Sequence, residues 1–202
     1  MDTIIAMKTT TLALVLVTVT APADDCVPEP TAFESFVADP NVIVEFEQWV
    51  GAIVSADAKL SVTALAAHDS ADPARRMQGL RLTMEDNSGT DSVYVDEAGF
   101  AALMQDLASV DQLRTTLRKE TDAPYRVAGT GSCWRPARPM RILCPSYRIG
   151  PDWSGMLLAA QGGDGFEYPD HEPAELAALI EKAAAILAAR QRARGEPDLP
   201  DV

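Results

Sequence analysis

The amino-acid sequence predicts an α+β protein, with an antiparallel sheet in one layer and two amphipathic helices covering it in the other. Three observations carry this expectation. Residues 80–85 alternate apolar and polar with a period of two. Residues 100–107 and 176–183 carry apolar stripes at helical spacing. The order strand, turn, strand, helix occurs twice along the chain.

The first element is a leader. Lys8 supplies a basic start, Leu12 to Val19 an apolar run, and Ala21-Pro22-Ala23 the small residues that precede a signal-peptidase cut. Residues 1–23 therefore read as a cleavable signal peptide, with Asp24 as the mature N-terminus and Met1 and Met7 both open as the start. The run is shorter than the roughly 20 apolar residues of a membrane span, so no stable insertion is expected after cleavage. An exported protein, periplasmic or secreted, is the expectation.

Residues 24–195 are expected to form one domain. Thr31 with Glu34 three residues on has the form of a capping box for a short helix, which Asp39-Pro40 ends. Between Val42 and Val54 the signal is mixed. Val42, Val44 and Phe46 alternate as in a strand, but Ile43, Phe46, Val50, Ile53 and Val54 follow helical spacing, and the balance leans to helix through Trp49. Ala58 to Ala66 reads as a strand with Leu60, Val62 and Ala64 on one face.

Leu80, Leu82 and Met84 alternate with Arg81, Thr83 and Glu85, the pattern of a strand with one wet face. A polar turn from Asp86 to Asp91 leads to a return strand through Val93, Tyr94 and Val95. Asp96 then caps a helix whose buried stripe is Phe100, Leu103, Met104 and Leu107, and Ser109 with Gln112 caps a continuation carrying Leu113 and Leu117.

The last third repeats the order. Gly155 to Ala160 parallels Gly79 to Met84, a glycine-rich turn follows, Phe166 to Tyr168 returns, and a helix starting near Pro173 turns Leu176, Leu179, Ile180 and Ala183 inward. Half-repeats over 58–120 and 125–195 follow from this. Tyr94 and Tyr168, each two residues before an aspartate, fall in register, which sets Val93 against Glu167. Duplication and convergence of a common supersecondary order both remain open. The tail, residues 196–202, has too little apolar surface to pack and is expected to be disordered.

The net charge is −13, and removing the leader takes away one acid, Asp2, and one base, Lys8, leaving it unchanged. Such a chain repels phosphate backbones, so nucleic acid is not expected as a partner. Three cysteines remain, Cys26, Cys133 and Cys144. An oxidising compartment favours pairing two of them, and the local pair Cys133–Cys144, closing a loop worth about 3 kcal/mol, is the preferred disulfide. Cys26 is then either a free thiol or a tether to one of the other two.

No cofactor or metal site is expected, because His68 and His171 are far apart and Asp170-His171-Glu172 reads as a helix start rather than a ligand set. His68-Asp69 reads as part of an exposed loop. Ser132 and Ser154 lie in no G-x-S-x-G elbow. The segment between Cys133 and Cys144 carries Arg135, Arg138 and Arg141 at every third position, with Pro136 and Pro139 between them and Trp134 beside them. A stiff loop of that kind is a candidate partner-binding surface for an acidic ligand or an envelope protein, since guanidinium forks bind carboxylate and phosphate bidentately.

The expected function is non-catalytic binding in the cell envelope, through this loop or the sheet face around Arg81, Thr83 and Tyr94. The alternative is a small hydrolase or thiol-dependent enzyme using Cys26 or a serine, whose mark would be His68 or His171 within reach of a Ser or Cys.

Overall fold

The computed structural model describes residues 30–87, 89–117, 126–129, 143–149, 154–160 and 165–195. The chain is mixed α+β, with two antiparallel sheets and three helices. Helix α1 (Ala32–Ala38) leads into strands β1 (Val42–Val54), β2 (Ala58–Asp69), β3 (Arg76–Asp86) and β4 (Gly89–Asp96), then helix α2 (Glu97–Leu117). Strands β5 (Arg126–Gly129), β6 (Leu143–Ile149), β7 (Ser154–Ala160) and β8 (Gly165–Pro169) follow, then helix α3 (Pro173–Ala193). Each sheet is a meander in chain order, β1-β2-β3-β4 and β5-β6-β7-β8. The sequence pattern predicts one sheet under two helices; instead the hairpins β3-β4 and β7-β8 lie in separate sheets, because each pairs only with strands of its own half of the chain.

Strand β1 shows why. Its pairing with β2 slips at two places, between Val44 and Phe46 and between Trp49 and Gly51, so Glu45 and Val50 are extra residues in β-bulges. Phe46 and Val50 stand two plain periods apart, and the extra residue at Val50 puts the next core position, Ile53, three residues on, so the spacing of four and three imitates a helix. Lys182 of α3 donates to the carbonyl of the bulged Val50 at 3.2 Å, giving that displaced acceptor a partner.

The other elements of the first half follow their sequence patterns. Thr31 caps α1 by accepting from the Glu34 amide at 3.0 Å and donates its hydroxyl to the carbonyl of Tyr94, tying the helix start to β4. Asp96 accepts from the Gly99 amide at 2.9 Å at the start of α2. That helix runs unbroken to Leu117. Ser109 bonds back to the Gln105 carbonyl rather than capping a second helix, and Leu113 is exposed while Val110 is buried.

Inward-facing Leu60, Val62, Ala64, Leu80, Leu82, Met84, Val93 and Val95 form one core with Met156, Leu158, Phe166 and Tyr168 of the second sheet. Leu103 and Leu107 of α2 and Leu176, Ile180, Ala183 and Leu187 of α3 complete it. The helices are exchanged between the two halves. Helix α2 packs mainly on β5 and β6, whereas α3 packs mainly on β1 and β2 and against α2. Helix α1 lies on the opposite side of the first sheet, where Phe33 and Phe36 are buried.

The two hairpins β3-β4 and β7-β8 correspond, one residue away from the register read off the sequence. Gly79 faces Asp96 and Leu80 faces Val95, while Gly155 faces Pro169 and Met156 faces Tyr168. Tyr168 is therefore the counterpart of Val95, and Tyr94 of Glu167. Val93 now matches Phe166 rather than Glu167, and the two apolar faces agree.

Candidate interaction surface

Alternation along the first sheet sends one set of side chains to its outer face. Across the four strands, Trp49 pairs with Thr63, Thr63 with Arg81 and Arg81 with Tyr94, so these four form one cross-strand row. Side chains in such a row touch directly. Arg81 pairs with Glu47, and Thr83 and Ser92 share a hydroxyl hydrogen bond of 3.1 Å one step along. Thr63, within this row, is the one buried polar residue among the described residues.

Helix α1 closes one end of this face. Phe33 meets Tyr94 edge to face, with centroids 6.2 Å apart, and Arg75 stands 5.2 Å over the ring of Phe36. Beyond Trp49 lies β1, the outermost strand, hydrogen-bonded only to β2 within the sheet. Among the described residues no strand pairs with its other edge, although the carbonyls of Val50 and Val54 already face Lys182 and His171. Trp49 is 63% exposed, Val54 61%, Ile43 49% and Val44 45%, and these are four of the five exposed large apolar residues among the described residues. An apolar strand edge of this kind is a place to bind, because a docked strand gains a hydrogen-bond ladder and apolar contact together.

Of the sheet-face residues expected from the sequence, Arg81, Thr83 and Tyr94 are brought together here. Trp49 was missed because its segment leaned to helix, and the alternation of Val42, Val44 and Phe46 was the signal that located it. The arginine loop, Arg135, Arg138 and Arg141 with Trp134, lies outside the described residues, as do Cys26 and Cys133. Cys144 falls in β6, opposite Ala159.

Both histidines face acceptors. His68, expected in an exposed loop, lies near the end of β2, with Nδ1 3.3 Å from Glu45 Oε2. His171 sits between Glu175, 2.9 Å from Nδ1, and the Val54 carbonyl, 3.0 Å from Nε2. Its neighbour Glu172 is the N-cap of α3 and forms a capping box with Glu175, as the helix-start expectation required. Among the described residues no three His, Cys, Asp or Glu side chains converge as a metal site, and no helix is long and apolar enough to cross a membrane.

No protein-family model matches the chain, and no curated protein or solved structure matches it either.

Proposed function

We propose that the chain is an exported, non-catalytic binding module of the cell envelope that receives an extended segment of a partner protein along β1 and the adjoining outer face of the first sheet. The concentration of exposed apolar residues on β1 carries this reading. Backbone pairing at the edge supplies affinity, Trp49 a broad contact, and the Arg81–Glu47 pair beside it a polar flank. Among the described residues, His68 faces Glu45, and His171 faces Glu175 and the Val54 carbonyl, contacts that join strands and helices of the fold.

The leader over residues 1–23 supports export, and the Cys133–Cys144 disulfide belongs to the same proposal. So does duplication. Two four-strand meanders, each followed by a helix that packs on the other half's sheet, fit a repeated unit whose layers interlock. On this reading the unit has four strands and a helix, larger than the strand-strand-helix unit visible in the sequence.

Pull-down from a periplasmic extract tests the surface with three proteins: wild type, the pair Trp49→Ser with Val44→Lys, and the triple change of Arg135, Arg138 and Arg141 to Ser. The expected result is loss of the wild-type partner by the β1 variant alone, together with slowed hydrogen exchange along β1 in the wild-type complex. Loss by the arginine variant alone moves the site to the loop, and retention by both overturns the proposal. Mass spectrometry of exported material is expected to find Asp24 at the N-terminus, and non-reducing peptide mapping the Cys133–Cys144 link.

A further inference from the structure

His171 stands where the end of β1 meets the start of α3. Its Nε2 lies 3.0 Å from the Val54 carbonyl oxygen and its Nδ1 2.9 Å from Glu175 Oε2. The Val54 carbonyl belongs to the outer edge of the sheet. The Ser55 amide donates to the Ala58 carbonyl at 2.9 Å, so the next pair along, Val54 with Lys59, is of the kind whose backbone groups point away from β2. Val54 also closes the row of exposed apolar residues on β1.

The ring is held from both sides. Asp170, just before it, takes a left-handed backbone at φ 63° and donates its amide to the Ser154 carbonyl at 2.8 Å, which fixes the turn from β8 into α3. Glu175 accepts from the Glu172 amide at 2.9 Å through its other oxygen, so its carboxylate leaves the ring only by uncapping the helix. The charges that act on the ring are those of Glu175 and Asp170, and from β1 the neutral carbonyl of Val54 faces it. Burial disfavours the charged ring, but the two hydrogen bonds and these two charges outweigh it and raise the pKa.

Two acceptors on one imidazole make the contact sensitive to a single proton. The imidazolium donates to both, whereas a neutral ring has one N–H and turns a lone pair toward the remaining oxygen. That proton stays on Nδ1, because a hydrogen bond to an ionised carboxylate is stronger than one to a carbonyl. Nε2 and the Val54 oxygen then meet lone pair to lone pair, and the contact opens.

We propose that His171 is a pH-operated guard on the β1 edge, which holds the Val54 carbonyl when charged and releases it to a docking strand when neutral. Its role as a guard rests on strand docking at β1, as proposed above, while the proton-dependent contact stands without it. A strand that takes the carbonyl displaces a proton from His171, so docking strengthens as pH rises.

An NMR titration of the whole chain, following the nitrogen shifts of the His171 ring and the carbonyl carbon shift of Val54, tests the contact. Both are expected to move with one midpoint, and the ring to be the Nδ1–H tautomer above it. In Glu175→Gln the side-chain oxygen still accepts from the Glu172 amide, while its NH2 donates to Nδ1 of a neutral ring. The proton then sits on Nε2, and the Val54 shift is expected to stay constant where that of wild type moves. A Val54 carbonyl that does not follow His171 in wild type, or that follows it equally in Glu175→Gln, overturns the proposal. Pull-down from a periplasmic extract on either side of the midpoint tests the consequence. Capture of the β1-dependent partner by wild type is expected to rise on the order of fivefold at the higher pH, the equivalent of one hydrogen bond. Glu175→Gln should remain at the lower level at both. Capture that is pH-independent in wild type, or that rises equally in Glu175→Gln, overturns the guard. Capture that fails at every pH counts against strand docking itself, because the carbonyl titration needs no partner.

Discussion

Phe33 lies directly on Gly79. A Cβ at position 79 would stand 2.5 Å from Phe33 Cδ1 and 2.5 Å from the carbonyl oxygen of Val95, closer than real Cβ atoms come. The equivalent glycine of the second sheet is in the same position, since a Cβ at Gly155 would meet the Tyr168 carbonyl oxygen at 2.4 Å. In both hairpins the close approach is to the backbone of the returning strand, which has no rotamer with which to yield.

Alanine substitutions are therefore expected to separate into two classes. Gly79→Ala and Gly155→Ala should each destabilise by about 1–3 kcal/mol, as overpacking of a rigid wall does. Gly51→Ala should cost much less, because its nearest neighbour, 2.7 Å away, is the tip of the Leu179 side chain. Urea denaturation of the three variants checks the order, and equal losses would contradict it.

Arg114 connects three elements. It donates to Asp111 at 2.8 Å within α2 and to Glu172 at 2.7 Å at the start of α3, with its guanidinium 5.7 Å from the centre of the Tyr147 ring in β6. Arg114→Met is expected to cost about 2 kcal/mol, the scale of hydrogen bonds to charged groups. A double-mutant cycle with Glu172→Gln should return a coupling on the order of 1 kcal/mol. A coupling below about 0.3 kcal/mol means that the two helices are held by packing alone.

His171 and Glu45 are expected to give opposite pH limbs. Burial lowers the His171 pKa, but the hydrogen bonds to Glu175 and the Val54 carbonyl, with the charges of Glu175 and Asp170, raise it further than burial lowers it. Both ring nitrogens face acceptors, so only the doubly protonated imidazolium donates to each. Its stabilisation is fully present below the ordinary value of 6.5 and is lost as pH rises through the raised value. The stability gap between wild type and His171→Ala should narrow as pH rises above the ordinary value of 6.5 and through the raised one. The hydrogen bond from Arg194, with the charges of Arg194, Arg76 and Arg190, outweighs burial and lowers the Glu45 pKa, so its contribution is present above the ordinary 4.5 and is lost as pH falls toward about 2. The gap between wild type and Glu45→Gln should narrow on that side. Thermal midpoints across pH for the three proteins decide both limbs, and a pH-independent gap in either variant would sink its half of the account.

The local elements were legible in the sequence because each is written in adjacent residues. The alternation of Leu80, Leu82 and Met84, the cap at Thr31 and the stripes through Leu103 with Leu107 and Leu176 with Ile180 all appear where expected. Such patterns report which face of an element is buried, and nothing about what buries it. The tertiary structure alone decided that α2 and α3 pack crosswise on the two sheets, that Tyr168 stands where Val95 does, and that Val42–Val54 is a strand. In that strand the two bulges exist only against the register of β2, so the period along the chain misleads. The same holds for the charges around Glu45. Glu45, Arg76, Arg190 and Arg194 are unremarkable as separate letters, and meet only because a bulge turns one carboxylate toward the end of a helix supplied by the other half of the chain.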